Sequence, residues 1–173
     1  MKYFHILIGI FALLSQSAFG CSPIQNQLFK PNEDEYKWHT DQATGYVVRP
    51  PKLEVTSIKV ARGLGSDGVS CIDAGSVTIT VVIPETSPFK FSELGIYFKV
   101  VQVIDGENVL IGHQYPFKPL EETGKEGVFK MSWVDGAPKN QKIINMRVEV
   151  FSLTHHLEIG PSTEFLIESK PNG

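Results

Sequence analysis

The spacing of apolar and polar residues changes twice along this chain. Phe4 to Leu14 (FHILIGIFALL) is almost continuously apolar, broken only by His5 and Gly9. Residues 21–52 have no regular period: Pro23, Pro31, Pro50 and Pro51 and the polar cluster Asn32 to His39 (NEDEYKWH) interrupt it, so this stretch reads as an extended N-terminal arm. From Leu53 onward, apolar and polar residues alternate over short stretches bounded by Gly and Pro, the period of strands with one buried face. Leu53–Ala61 is predicted as the first, with a slip in alternation near Ser57 of the kind a bulge causes. Ser76–Ile83 follows, with Val77, Ile79, Val81 and Ile83 on one face. Gly95–Ile104 and Val109–His113 read as a hairpin around Asp105-Gly106. Val128–Val134 aligns Phe129, Met131 and Trp133, Ile143–Leu153 aligns Ile144, Met146, Val148 and Val150, and Phe165–Ile167 closes the series. No stretch carries a long helical period. Seven short strands separated by turn residues predict an all-β sandwich or barrel spanning 53–169.

The apolar run near the start is too short to cross a bilayer, which takes about 20 residues. Lys2 precedes it, and Ala18-Phe19-Gly20 places small residues at the −3 and −1 positions before Cys21. Charge, apolar core and small-x-small site in this order predict a secretory signal peptide over 1–20. The remaining 153 residues suffice for one domain and an arm. Without Lys2 that part holds fifteen basic and nineteen acidic residues, net −4, with the signs interspersed. No basic stripe exists to hold nucleic acid or an anionic membrane.

Cys21 and Cys71 admit two readings. An even count in an exported chain suggests a disulfide between them, and closing a loop of this length adds about 4 kcal/mol in the chain-entropy model. Alternatively, Cys21 immediately follows the cleavage site, where a bacterial lipoprotein carries its lipid; Ala18 and Phe19 depart from that lipobox. In this reading the membrane is reached only through a lipid on Cys21. The chain has no Asn-x-Ser/Thr sequon, which favours a bacterial periplasmic or envelope protein, outer-membrane-anchored if lipidated.

Four stretches carry a family resemblance. Pro50-Pro51-Lys52-Leu53-Glu54-Val55 resembles the opening of a fibronectin type III domain, and Ser76 to Val81 (SVTITV) is similar to its second strand. Ile96 to Val100 (IYFKV) suits its third, and Met146 to Ser152 (MRVEVFS) with Gly160-Pro161-Ser162 resembles the sixth strand and the turn into the last. The second strand lacks the family's core Trp, and Met146 stands where its corner Tyr is usual. The resemblance implies an immunoglobulin-like antiparallel β-sandwich over about 50–169, a fold that serves binding or spacing rather than chemistry.

Few side chains suggest chemistry. Gly63 to Gly68 (GLGSDG) matches G-x-G-x-x-G, but Val69 to Gly75 after it has no helical period, and a dinucleotide site needs the loop to open a helix. His155-His156 is the only histidine pair; neighbours on a strand point to opposite faces, so they do not converge on a metal. Glu33, Asp34, Glu35 and Asp41 lie on the arm without calcium-loop spacing. There is no G-x-S-x-G, and Cys71 has no basic neighbour. Trp133 reads as core, whereas Tyr36, Trp38 and Tyr46 would dock the arm. No catalytic residue, cofactor or metal site is expected. A recognition site is placed on the Thr154–Ile159 loop, at His155, His156 and Glu158, with Gly63–Gly68 alongside.

The expected function is therefore a non-enzymatic binding or accessory module of the bacterial envelope, with another envelope protein as partner. A periplasmic inhibitor or immunity protein, blocking an enzyme with a loop, is the alternative. An exposed hydrophobic sheet edge would favour the module, a projecting His-bearing loop the inhibitor, and a concave pocket with a perturbed acid–base pair an enzyme.

Overall fold

Val77, Ile79, Val81 and Ile83, spaced by two, are all fully buried, and their alternation fixes the face that the second strand turns inward. The computed structural model describes residues 26–31, 49–64, 73–111 and 115–172. The predicted signal peptide, both cysteines and Tyr36, Trp38 and Tyr46 lie outside the described residues. Among the described residues seven strands form: β1 (Glu54–Ala61), β2 (Ala74–Val82), β3 (Leu94–Gly106), β4 (Glu121–Thr123), β5 (Glu126–Val134), β6 (Ile144–Thr154) and β7 (Thr163–Ser169). They build two antiparallel sheets, ordered β1-β2-β5-β4 and β3-β6-β7. The fold is all-β.

One core lies between the sheets. Phe129 and Met131 from β5 meet Ile96 and Phe98 from β3 and Met146, Val148 and Val150 from β6. The Phe98 ring packs edge-on against Phe129 across the gap, with centroids 5.3 Å apart, the geometry that aromatic quadrupoles favour. β1 carries the expected bulge, between Val55 and Ser57. Trp133 is half-buried: it covers Gly75, where any β-carbon would collide with the indole, and its Nε1 donates to Asp135 Oδ1 at 3.1 Å.

The predicted hairpin at Asp105-Gly106 does not form. Gly106 has φ +79° as a turn would require, yet it pairs with Ile144, and β3 continues through it. Val109 and Leu110, expected on a strand, instead tuck into the core, steered by an Asn108 side chain that accepts the Leu110 N–H at 2.9 Å. Burial of two large side chains outweighs a two-residue turn preference. The seventh strand is β4, three exposed residues (EET) with no alternation to announce them. It is held by a two-residue turn whose first position is Gly124, at φ +61°.

Part of the N-terminal arm is docked by Phe29, while the aromatics expected to dock it lie outside the described residues. Phe29 is buried over Gly95, and its N–H donates to Pro116 O at 2.9 Å. Lys118 N–H donates to Gln27 O at 2.7 Å, and Phe117 exchanges both backbone bonds with Ile96 of β3. The Asn26 side chain donates to Lys130 O at 2.9 Å and accepts the Lys130 N–H at 3.0 Å, standing in for a neighbouring strand on β5 beyond the reach of β4. Residues 26–31 thus tie the open flank of one sheet to the other.

Candidate interaction site

The β6–β7 turn holds the expected recognition residues. Thr154 binds both ends of it: its N–H donates to Glu158 O at 3.0 Å, its C=O accepts the Leu157 N–H at 3.0 Å, and its Oγ1 accepts the Glu158 N–H at 3.1 Å. His155 packs against Phe29, with ring centroids 4.4 Å apart and planes tilted by 40°, and so serves to dock the arm. Its Nδ1 is buried and makes no hydrogen bond among the described residues. His156 is exposed, and Glu158 is half-buried with its backbone committed to the turn. Leu157, at φ +63°, is the only described non-glycine residue in the left-handed region, and Leu157 and Ile159 stay 48% and 65% exposed rather than folding back on the core.

Gly63 and Leu64 do not join this turn. β1 runs the length of its sheet between Leu53, whose C=O accepts from Thr163 Oγ1, and Arg62, whose Nη2 donates to Lys142 O at 2.9 Å. Eight strand residues at about 3.3 Å each separate the two loops by roughly 26 Å, so they occupy opposite ends of the molecule. The other G-x-G-x-x-G glycines, Gly65 and Gly68, lie outside the described residues.

At the Gly63 end lies a buried polar network that the residue pattern did not announce. Arg62 Nη2 and Nε donate to Asp135 Oδ1 at 2.7 Å and Oδ2 at 2.9 Å, with side chains 3% and 0% exposed. Gly63 N–H adds a 2.7 Å bond to Asp135 Oδ2, so it serves an internal carboxylate rather than a phosphate. Gln141 Nε2 donates to Gly63 O at 2.7 Å. Burial pushes the Asp135 carboxyl up, but the hydrogen bonds from Arg62, Gly63 and Trp133 and the guanidinium charge reverse this, leaving its pKa below the ordinary value. Every donor closes on the carboxylate from within the fold, which makes this a structural clasp.

Among the described residues, three exposed apolar side chains follow closely at the end of β3. This strand has thirteen residues, where about five or six are usual, and from Val101 to Gly106 all are exposed. Val101, Val103 and Ile104 retain 46%, 40% and 46% of their accessible surface. Val101 and Ile104 are extra residues at two bulges relative to β6. Among the described residues, the edge of β3 facing away from β6 has a backbone partner only at Ile96. The signal was present in the sequence as two adjacent apolar pairs, Val100-Val101 and Val103-Ile104, which no single buried face accommodates. On the outer face nearby, Lys99 donates to Glu149 at 2.8 Å; this bond raises the Lys99 pKa and lowers that of Glu149.

Other concavities offer little. A shallow, open groove of about 600 Å³ is lined by Glu85, Lys90, Glu122, Gly124 and Lys125, and Lys125 Nζ is already bound to Ser87 O and Phe89 O. Among the described residues no group of three His, Cys, Asp or Glu side chains converges as metal ligands would. None of the described helices is long and apolar enough to cross a membrane. Comparison with protein-family models, curated proteins and solved structures finds no match.

Proposed function

We propose that the chain is an exported, non-enzymatic binding or accessory module of the bacterial envelope, built as an immunoglobulin-like sandwich. The observation that carries the reading is the exposed apolar end of β3, whose edge beyond Ile96 has no backbone partner among the described residues, an edge of the kind that proteins use to capture extended partners. The strand order supports the immunoglobulin-like part: β1-β2-β5-β4 against β3-β6-β7 corresponds to the ABED and CFG sheets of constant-type domains. The N-terminal sequence supports export, and the partner class is another envelope protein. Capture from envelope extract on the immobilised protein tests this reading, comparing wild type with Ile104→Lys. Position 104 is 46% exposed, and a thermal melt checks that the variant folds; loss of specific capture is expected, and unchanged capture removes the edge from consideration.

The inhibitor or immunity reading has one observation in its favour. Leu157 is displayed at the apex of a braced turn in a backbone conformation that branched side chains avoid, as suits a loop that enters a cleft. His156→Ala/Leu157→Gly keeps the turn, since glycine accepts this φ. Loss of capture by this variant but not by Ile104→Lys would favour the blocking loop.

A further inference from the structure

The exposed end of β3 carries a pattern that selects its partner. The bulges at Val101 and Ile104 shift the register so that Lys99, Gln102 and Asp105 lie opposite Glu149, Arg147 and Asn145 of β6. Those β6 residues alternate and share one face, so the three β3 residues, spaced by three, share it too. Along the strand the order is Lys99-Val100-Val101-Gln102-Val103-Ile104-Asp105. Read from Gln102 outward, the order is symmetric in character: two apolar residues on either side, then a cation at one end and an anion at the other. We propose that two copies of this chain pair antiparallel along residues 99–105 of β3, about a two-fold axis at Gln102. This rests on the module reading and names its partner as a second copy.

The axis at Gln102 sets Lys99 of each copy opposite Asp105 of the other, on the outer face of a joined sheet β7-β6-β3-β3-β6-β7. Opposite charges directly across an antiparallel pair are favourable and like charges are not. Moving the axis to Val101 or Val103 removes both charge pairs, so the charges fix the register. Asp105 is exposed, and Lys99, although bound to Glu149, keeps 60% of its side chain accessible. The same sheet's other open edge behaves oppositely: β7 reads Thr163-Glu164-Phe165-Leu166-Ile167-Glu168-Ser169, and self-pairing about Leu166 would set glutamate against glutamate. Bulges ordinarily blunt an edge; here they align the charges. The contact is a strand and its flanking side chains, which places it among small, reversible interfaces.

Sedimentation velocity of the purified protein over a wide micromolar range, at low ionic strength, tests the pairing. The weight-average mass is expected to rise with concentration towards that of two copies. D105K sets lysine against lysine twice and is expected to weaken association roughly tenfold or more, whereas K99D/D105K exchanges the charges and restores it. Thermal melts on each variant confirm the fold, since Lys99 also binds Glu149. A mass fixed at one copy overturns the proposal, as does association insensitive to D105K. The module reading is judged separately on the same preparation: a strictly monomeric protein whose envelope partner is lost with Ile104→Lys keeps that reading while refuting self-pairing.

Discussion

Asp135 shows how one side chain holds the end of a sandwich. Its carboxylate is fully enclosed and receives bonds from Arg62, Gly63 and Trp133, so removing its charge strands a buried guanidinium. Asp135→Asn is expected to destabilise the fold by about 3–5 kcal/mol, the usual result of deleting one partner of a buried pair, read as a lower urea midpoint at neutral pH. The pH dependence has a definite sign. The folded pKa lies below the unfolded value, which is about 3.9, so between the two the unfolded chain binds more protons and stability rises with pH. The contribution is complete above the unfolded pKa and is lost as pH falls through the folded one. Urea midpoints over acidic pH should therefore converge for wild type and Asp135→Asn; a constant gap would show that the carboxylate's charge is not what stabilises this end.

At the level of elements, the arm segment 26–31 lies across the two sheets as a strap. It is bonded to 116–118 and to the edge of β5, but β2 and β6 close their ladders without it. Phe29→Ala removes its one large buried side chain and the His155 ring contact. The expected result is loss of hydrogen-exchange protection at the Lys118 and Lys130 amides, with β2 and β6 amides still protected; protection lost everywhere would make the strap integral to folding. The six strands that alternate over most of their length were readable because burial on one face writes a period of two, and the fully buried Ile144, Met146, Val148 and Val150 follow it without exception. β4 was not readable, because Glu121, Glu122 and Thr123 are exposed and held by a turn. Phe29 was not readable because the scattered apolar residues of the arm, Ile24, Leu28 and Phe29 among them, make no period. The Arg62–Asp135 clasp joins residues 73 apart, a separation at which sequence carries no local signal. The exposed end of β3 was written as doubled apolar pairs, yet its meaning depended on bulges that only the pairing with β6 reveals.

On the scale of the whole molecule, the ends of the sandwich have separate characters: the Thr154 turn presents His156 and Leu157, and the Arg62–Asp135 clasp seals the other end. The chain's fate before folding rests on residues 1–25 and 71, outside the described part, but the described flanks bear on it. Asn26 is fixed at Lys130, and the Asp73 C=O accepts the Asp135 N–H at 2.9 Å. Lys130 and Asp135 are five positions apart along one extended stretch, roughly 17 Å. The five residues from Asn26 back to Cys21 reach at most about 17 Å and the two from Asp73 to Cys71 about 7 Å. Chain length therefore permits a Cys21–Cys71 bridge between anchors already tied to the fold. With export as proposed, intact mass of the envelope protein is expected to begin at Cys21. Neither thiol should take up an alkylating reagent before reduction, and both should afterwards. A mature mass beginning at Met1 overturns export, and a diacylglycerol adduct on Cys21 with one free thiol replaces the disulfide with the lipid anchor.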